Sequence, residues 1–132
     1  MSPQENTAKV QALYAAFGRG DVQFILDNVT DDVDWQTLGP APIPQAGLHK
    51  GRAEVGKFFE KVAQAYDFSQ FEPHEFVAQN NSVVAFVDYA GKIKATGKSY
   101  AAQAGMLFVF KDGKVAKFRE YTDTAGLVAA LS

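Results

Sequence analysis

The stretch AGMLFVFKDGKVAKFREYTDT, Ala104 to Thr124, constrains the fold of this chain more than any other. Ala104 to Phe110 is the longest apolar run, and Asp112-Gly113 is a turn signal between two strand-like runs. After the turn, Val115, Lys117, Arg119 and Tyr121 alternate with Ala116, Phe118, Glu120 and Thr122. Successive strand residues point to opposite faces. One face therefore carries Lys117 and Arg119, and the other carries Ala116 and Phe118 with a lone carboxylate, Glu120. A carboxylate on an otherwise apolar sheet face is the most informative feature of the sequence.

The register of this hairpin decides what Glu120 meets. A two-residue Asp-Gly turn sets Lys111 opposite Lys114, an unfavourable like-charge pair, and carries Met106 toward Arg119. A three-residue loop, Lys111-Asp112-Gly113 with Gly113 left-handed in a bulge, is the next commonest type. It pairs Phe108 with Ala116, Met106 with Phe118 and Ala104 with Glu120. That register gathers the large apolar groups on the face of Glu120, and it is the one expected.

The chain has 132 residues, of which 47% are apolar and 21% charged, so residues 1–132 are expected to form one domain with a real core. A net charge of −2 gives no electrostatic reason to expect nucleic acid or an anionic membrane as a partner. The absence of cysteine excludes disulfides and thiolate catalysis. With His49 and His74 far apart, no metal site is expected, and no phosphate-binding loop implies a cofactor. The segment MSPQENTAKV lacks the apolar stretch of a signal peptide, and the expectation is a cytoplasmic protein.

Ser2-Pro3-Gln4-Glu5 has the form of a capped helix start, followed by Val10, Leu13, Tyr14 and Phe17 on one helical face. Gly18 and Gly20 close this helix, and Asp21 can cap a short second one. Asp31-Asp32 reads as a turn, then Val33, Trp35 and Thr37 alternate as a short strand. Gly39 to Gly51, with Pro40, Pro42 and Pro44, is an extended loop of a length that is often functional. A third helix over about Arg52 to Tyr66 buries Val55, Phe58, Phe59 and Val62. Strands follow at Phe71 to Gln79, Ser82 to Ala90 and Ser99 to Phe110, with Pro73 marking an edge or bulge and Gly91 a bend. A short helix with Leu127, Val128 and Leu131 ends the chain. This order describes an α+β protein in which a curved antiparallel sheet packs one face on N-terminal helices. A pocket between them is the natural surrounding of Glu120.

The segments ALYAAFGRGD, VDWQTLGP, GRAEVGKFF and KDGKVAKFREYTDT, in this order, resemble the NTF2-like superfamily in its SnoaL-like and ketosteroid-isomerase-like branch. The resemblance covers nearly the whole chain and implies a cone-shaped α+β fold with an apolar pocket, usually dimeric. Its members include isomerases, polyketide cyclases, epoxide hydrolases, dehydratases, transport factors and members with no known activity. The Asp base of the ketosteroid isomerases falls on Thr37, and their first-helix Tyr on Leu13, one place from Tyr14. The last-strand carboxylate of the epoxide hydrolases and of the SnoaL-type cyclases falls on Glu120. The other acid of the hydrolases matches a strand that carries Asp88 and no arginine.

Glu120 is thus the candidate general acid/base, with Asp88 a candidate partner across the pocket; a Glu120 paired with an arginine and an Asp88 facing solvent are the plainer readings. Tyr14, Trp35, Thr37, Phe59, Met106, Phe108 and Phe118 are the candidate binding residues for a small hydrophobic ligand, or simply core. The hydroxyls of Tyr14 and Tyr66 are expected to find backbone partners, His49 to be a solvated loop residue, Arg52 to sit in the first turn of the third helix, a misfit with the helix dipole that leaves room for a loop carboxylate or ligand, and Asp123 to cap the last helix. The alternative to an isomerase or cyclase is a non-catalytic binding or interaction domain. Gly105, Leu107 and Val109 point away from the pocket beside Val115, Lys117 and Tyr121, and this outer face is expected to form a homodimer.

Overall fold

The computed structural model describes residues 1–132. Helix α1 (Pro3–Gly18) begins with the capping box foreseen in the sequence: Ser2 Oγ accepts from the Glu5 amide, and the Glu5 carboxylate accepts from the Ser2 amide. A short α2 (Val22–Asp27) is capped by Asp21. Then come β1 (Val29–Thr37), β2 (Gly47–Lys50), α3 (Arg52–Ala65), β3 (Tyr66–Gln79), β4 (Ser82–Ile93), β5 (Ser99–Lys111), β6 (Lys114–Tyr121) and α4 (Thr124–Leu131). The strands form one curved sheet in the order β2-β1-β6-β5-β4-β3. Every neighbouring pair is antiparallel except β1 and β6, which run parallel. The α+β architecture read from the sequence is the one found.

Helix α1 buries Val10, Leu13 and Ala16 toward β3 and β4, and α3 buries Val55, Phe58 and Val62 toward β1 and β2. The inward faces of the strands supply Val33, Trp35, Val83, Ala85, Val87, Met106, Phe108 and Phe118 to the same cluster. Arg52 joins these parts. Its guanidinium donates to the carbonyls of Leu26 and Val29 at 2.8 Å each and pairs with Asp31 at 2.9 Å. The helix-start arginine thus ties α3 to the α2–β1 connection, and the carboxylate it meets, Asp31, lies on β1 rather than in a loop.

The hairpin register differs from the expectation. Asp112 and Gly113 both have positive φ (52° and 80°), so the connection is a two-residue turn and Lys111 does lie opposite Lys114. Both lysines are solvent-exposed, where the like-charge penalty is screened. A bulge at Ala116 then shifts the register, so that Phe108 faces Phe118 and Met106 faces Glu120. The bulge also turns Val115 inward opposite Phe110; Val115 is completely buried, and it does not belong to the outer face as expected. Burying two large apolar groups outweighs a screened lysine pair.

Three further boundaries are corrected. Asp31-Asp32 is not a turn: it lies inside β1, where pairing with β6 is irregular between Val29 and Asp34. The end of the proline segment is not loop but β2, which sets His49 opposite Trp35. His49 is consequently buried rather than solvated, and Leu48 on the opposite side is exposed. β3 starts at Tyr66, five residues before the expected start, with an irregularity at Pro73 on an edge strand. Near its start the chain passes tightly over Gly91, where a Cβ would stand 2.3 Å from the Asp67 carbonyl oxygen.

Candidate functional site

Helices α1 and α3 leave part of the concave sheet face uncovered, and a cavity of about 90 Å³ lies there. Its wall is aromatic and aliphatic except at two residues, Glu120 and Gln45. Tyr14, Trp35, Phe59, Met106, Phe108, Phe118 and Glu120 all line it, so the fold brings these candidate residues together. The strands explain the convergence. Pairing of β1 with β6 sets Trp35 beside Phe118 and Thr37 beside Glu120, and pairing of β5 with β6 sets Met106 opposite Glu120. The Trp35 and Phe118 rings stack with centroids 4.0 Å apart, and Phe108 meets Phe118 edge-on at 5.1 Å.

Glu120 is buried, with 8% of its surface exposed. No cation pairs with it: the neighbouring Arg119 points to the outer face and binds Asp34 at 2.8 Å. Two hydroxyls hold the carboxylate instead. Thr37 Oγ1 donates to Oε1 at 3.2 Å and Tyr89 donates to Oε2 at 3.3 Å. Tyr89 also shares a 2.7 Å bond with Thr122, which can donate to it and leave its proton for Glu120. Burial pushes the Glu120 carboxyl above its ordinary range, and the Thr37 and Tyr89 bonds pull it partly back. Thr37 is itself buried, and it supports the carboxylate rather than lining the cavity.

The Tyr14 hydroxyl meets the Met106 thioether at 3.0 Å, and the Tyr66 hydroxyl donates to Gln45 Oε1 at 2.8 Å. Neither has the backbone partner expected: both residues line the cavity, and each hydroxyl meets a side chain there. Burial, aided by the Glu120 charge, raises the Tyr14 phenol well above its ordinary value, and burial pushes Tyr66 up to about 12.

Asp88 is the candidate the fold leaves out. Val83, Ala85, Val87 and Tyr89 are the inward residues of β4, so Asp88 stands on the opposite face. There it pairs with His74 Nε2 at 3.2 Å and is far from any role beside Glu120. Its neighbour Tyr89 takes the place across the cavity. His49 sits behind Phe58, with its ring 5.4 Å away, and outside the cavity wall; burial and the nearby Lys61 lower its pKa. Asp123 caps α4 by accepting from the Gly126 amide at 2.9 Å. No three His, Asp or Glu side chains converge as a metal site would need. No helix is long and apolar enough to cross a membrane.

Sequence reasoning missed Tyr89 and Gln45. The inward parity of Val83, Ala85 and Val87 points to Tyr89, but Val84 and Phe86 are equally apolar and hide the alternation. Gln45 had one signal, an amide-bearing residue among apolar and proline neighbours in the loop PAPIPQAG.

Residues 10–118 match the SnoaL-like domain model, and the chain belongs to this SnoaL-like family. It is similar in structure to an NTF2-like protein from Burkholderia xenovorans LB400, with 33% identity, TM-score 0.91 and coverage of 100% of this chain and 99% of that one. An NTF2-like protein of unknown function from Burkholderia pseudomallei K96243 is similar at 25% identity and TM-score 0.89, with the same coverage of 100% and 99%. A protein from Xanthomonas campestris pv. campestris, provisionally designated a polyketide cyclase, is similar at 25% identity and TM-score 0.81, with 98% of each chain covered. No protein of curated function matches the chain.

Proposed function

We propose that the protein is an acid/base enzyme acting on a small hydrophobic carbonyl or ring compound, with Glu120 as the proton-transfer group. The observation that carries this reading is the carboxylate itself: buried, without a cation, and the only carboxylate in an apolar cavity wall. A carboxylate in such surroundings is a stronger base than one in water, and its proton transfer is not short-circuited by solvent. Glu120 takes a proton from the carbon next to a carbonyl, and the electron pair of the broken C–H bond moves onto the carbonyl oxygen. Return of the same proton at another carbon completes an isomerisation. Alternatively, the enolate carbon attacks a second carbonyl and closes a ring; the π bond of that carbonyl breaks, its electron pair moves onto the oxygen, and Glu120 gives its proton to the resulting alkoxide. Thr37 and Tyr89 fix the carboxylate for either step, and the stacked Trp35 and Phe118 rings offer a flat apolar surface to the substrate. The provisional cyclase designation of the Xanthomonas relative agrees with this reaction class.

The test is exchange of the α-carbon hydrogens of six-membered cyclic ketones in deuterium oxide, followed by nuclear magnetic resonance. Wild-type protein is expected to accelerate exchange of at least one ketone of the panel, and Glu120→Gln to remove the acceleration. Ligand binding without exchange in either protein would favour the non-catalytic alternative, a binding domain using the same cavity. The same reading includes a homodimer formed through the outer sheet face, where Val77, Val84 and Leu107 lie in one row across three strands beside the half-exposed Phe86.

A further inference from the structure

Gln45 is the second polar residue of the cavity wall, and its place there is fixed by the proline segment. Ile43 is buried, and the segment folds back on itself through Ile43 N to Pro40 O (3.1 Å) and Ala46 N to Ile43 O (3.2 Å). The Ile43 side chain packs over Gly39 so closely that a Cβ on Gly39 would stand 2.7 Å from it. The loop is therefore pinned, and Gln45 enters the wall with 7% of its surface exposed.

The amide of Gln45 is half satisfied. Oε1 accepts the Tyr66 hydroxyl at 2.8 Å. This orientation follows from the donor count, because the Tyr66 proton has no other acceptor. The Nε2 group, with two protons to give, bonds to no protein atom, yet it is not sealed away as the fully enclosed orphan groups of the protein are. Gln45 is one of the residues that line the cavity. Trp35, another wall residue, also has its indole N–H without an acceptor. A buried donor left unmade costs free energy, and a site built to bond an oxygen discriminates strongly against analogues lacking it. The other hydroxyls of the wall already have partners: Tyr14 meets the Met106 sulfur, Tyr89 bonds Glu120 and Thr122, and Tyr100 donates to the Asp123 carbonyl.

We propose that Gln45 is the specificity-determining residue of the cavity, its Nε2 donating to an acceptor oxygen of the ligand, so that the ligand class is a small ring compound carrying a carbonyl oxygen. This rests on the reading of the cavity as a ligand site, and it adds which end of the ligand is recognised: the carbonyl oxygen is held by Gln45 while Glu120 acts on the carbon skeleton. Tyr66 is then a positioning residue, since its hydroxyl fixes which way the amide faces.

The experiment measures binding of two matched probes, acetophenone and its oxygen-free isostere α-methylstyrene, by nuclear magnetic resonance titration. Wild-type protein is expected to prefer acetophenone about three- to tenfold, the worth of one net hydrogen bond. Gln45→Leu should bring the two probes to near parity with α-methylstyrene binding retained, whereas Tyr14→Phe, which removes the rival hydroxyl donor, should keep the preference. Gln45→Leu strands the Tyr66 hydroxyl, so the double variant Gln45→Leu/Tyr66→Phe, which removes both polar ends, is measured beside it and should show the same parity. A preference that survives in both Gln45 variants, or that vanishes in Tyr14→Phe instead, overturns the assignment. Equal binding of the two probes to wild-type protein overturns it as well. If neither probe binds wild-type protein, the ligand-site reading fails, and this inference falls with it.

Discussion

Phe118→Ala removes the ring that joins the cavity wall to the β1–β6 junction. Phe118 is 3% exposed, stacks on Trp35 and meets Phe108 edge-on. Truncating a buried Phe to Ala costs about 3–5 kcal/mol, part of it from the cavity left behind. One side of Phe118 already borders a cavity, so fewer contacts are lost and the expected cost is at the lower end, about 3 kcal/mol. Unfolding entropy near 60 °C is about 2.1 cal/mol/K per residue, or about 0.28 kcal/mol/K for the 132-residue chain. The melting temperature should therefore fall by about 11 °C. Thermal unfolding followed by circular dichroism at pH 7 reads this directly, with Phe118→Leu as the milder companion, expected to lose less than half as much. A fall of under about 4 °C for Phe118→Ala would mean that the Trp35–Phe118 stack does not hold the sheet at this junction.

Glu120→Gln should lower catalysis of any responsive ketone by at least about 100-fold, and its effect on stability should depend on pH. The Glu120 carboxyl is raised in the folded protein, so between its ordinary value and the raised one the native state keeps a proton that the unfolded chain has released. Wild-type stability therefore falls as pH rises through that window, and Glu120→Gln, which never ionises, should gain on wild type in melting temperature from pH 4 to pH 8. Arg52→Met should cost about 2–3 kcal/mol in urea unfolding, because the carbonyls of Leu26 and Val29 lose a charged donor, while binding of acetophenone stays unchanged. Leu107→Lys places a charge in the row of Val77, Val84 and Leu107 and should convert a dimer to a monomer in light scattering; a wild-type protein that is monomeric at micromolar concentration removes the dimer from the account.

The hairpin shows what alternation can and cannot tell. The expected pairing of Met106 with Phe118 is wrong by two residues, since Met106 faces Glu120, but a shift of two preserves the faces. Met106, Phe108, Phe118 and Glu120 therefore share a side in either register. Val115 and Ala116 precede and include the bulge, and their sides were read wrongly for that reason. The capped α1, the α3 face and the order of the sheet strands from β3 to β6 were all legible, because caps, helical spacing and turn residues are local signals. The parallel contact of β1 with β6 has no local signal, and with it the bond from Thr37 to Glu120 stayed hidden. β2 is four residues long, too short to show a period. On β4, VVAFVDYA is apolar at both parities, so nothing in the sequence chose Tyr89 over Asp88 as the inward residue. Gln45 enters the cavity only because Ile43 and Gly39 fold the proline segment back, which is a matter of packing rather than of pattern.

The most direct test of the central claim is a carbon-13 titration of the Glu120 side-chain carboxyl, assigned by comparison with Glu120→Gln. Burial without a cationic partner should place its midpoint clearly above the ordinary 4.5, with Thr37→Val and Tyr89→Phe raising it further as the two bonds to the charged form are lost. A midpoint at or below 4.5 would contradict the account, since Glu120 would then be a stably ionised carboxylate with none of the added basicity that proton transfer in this cavity requires.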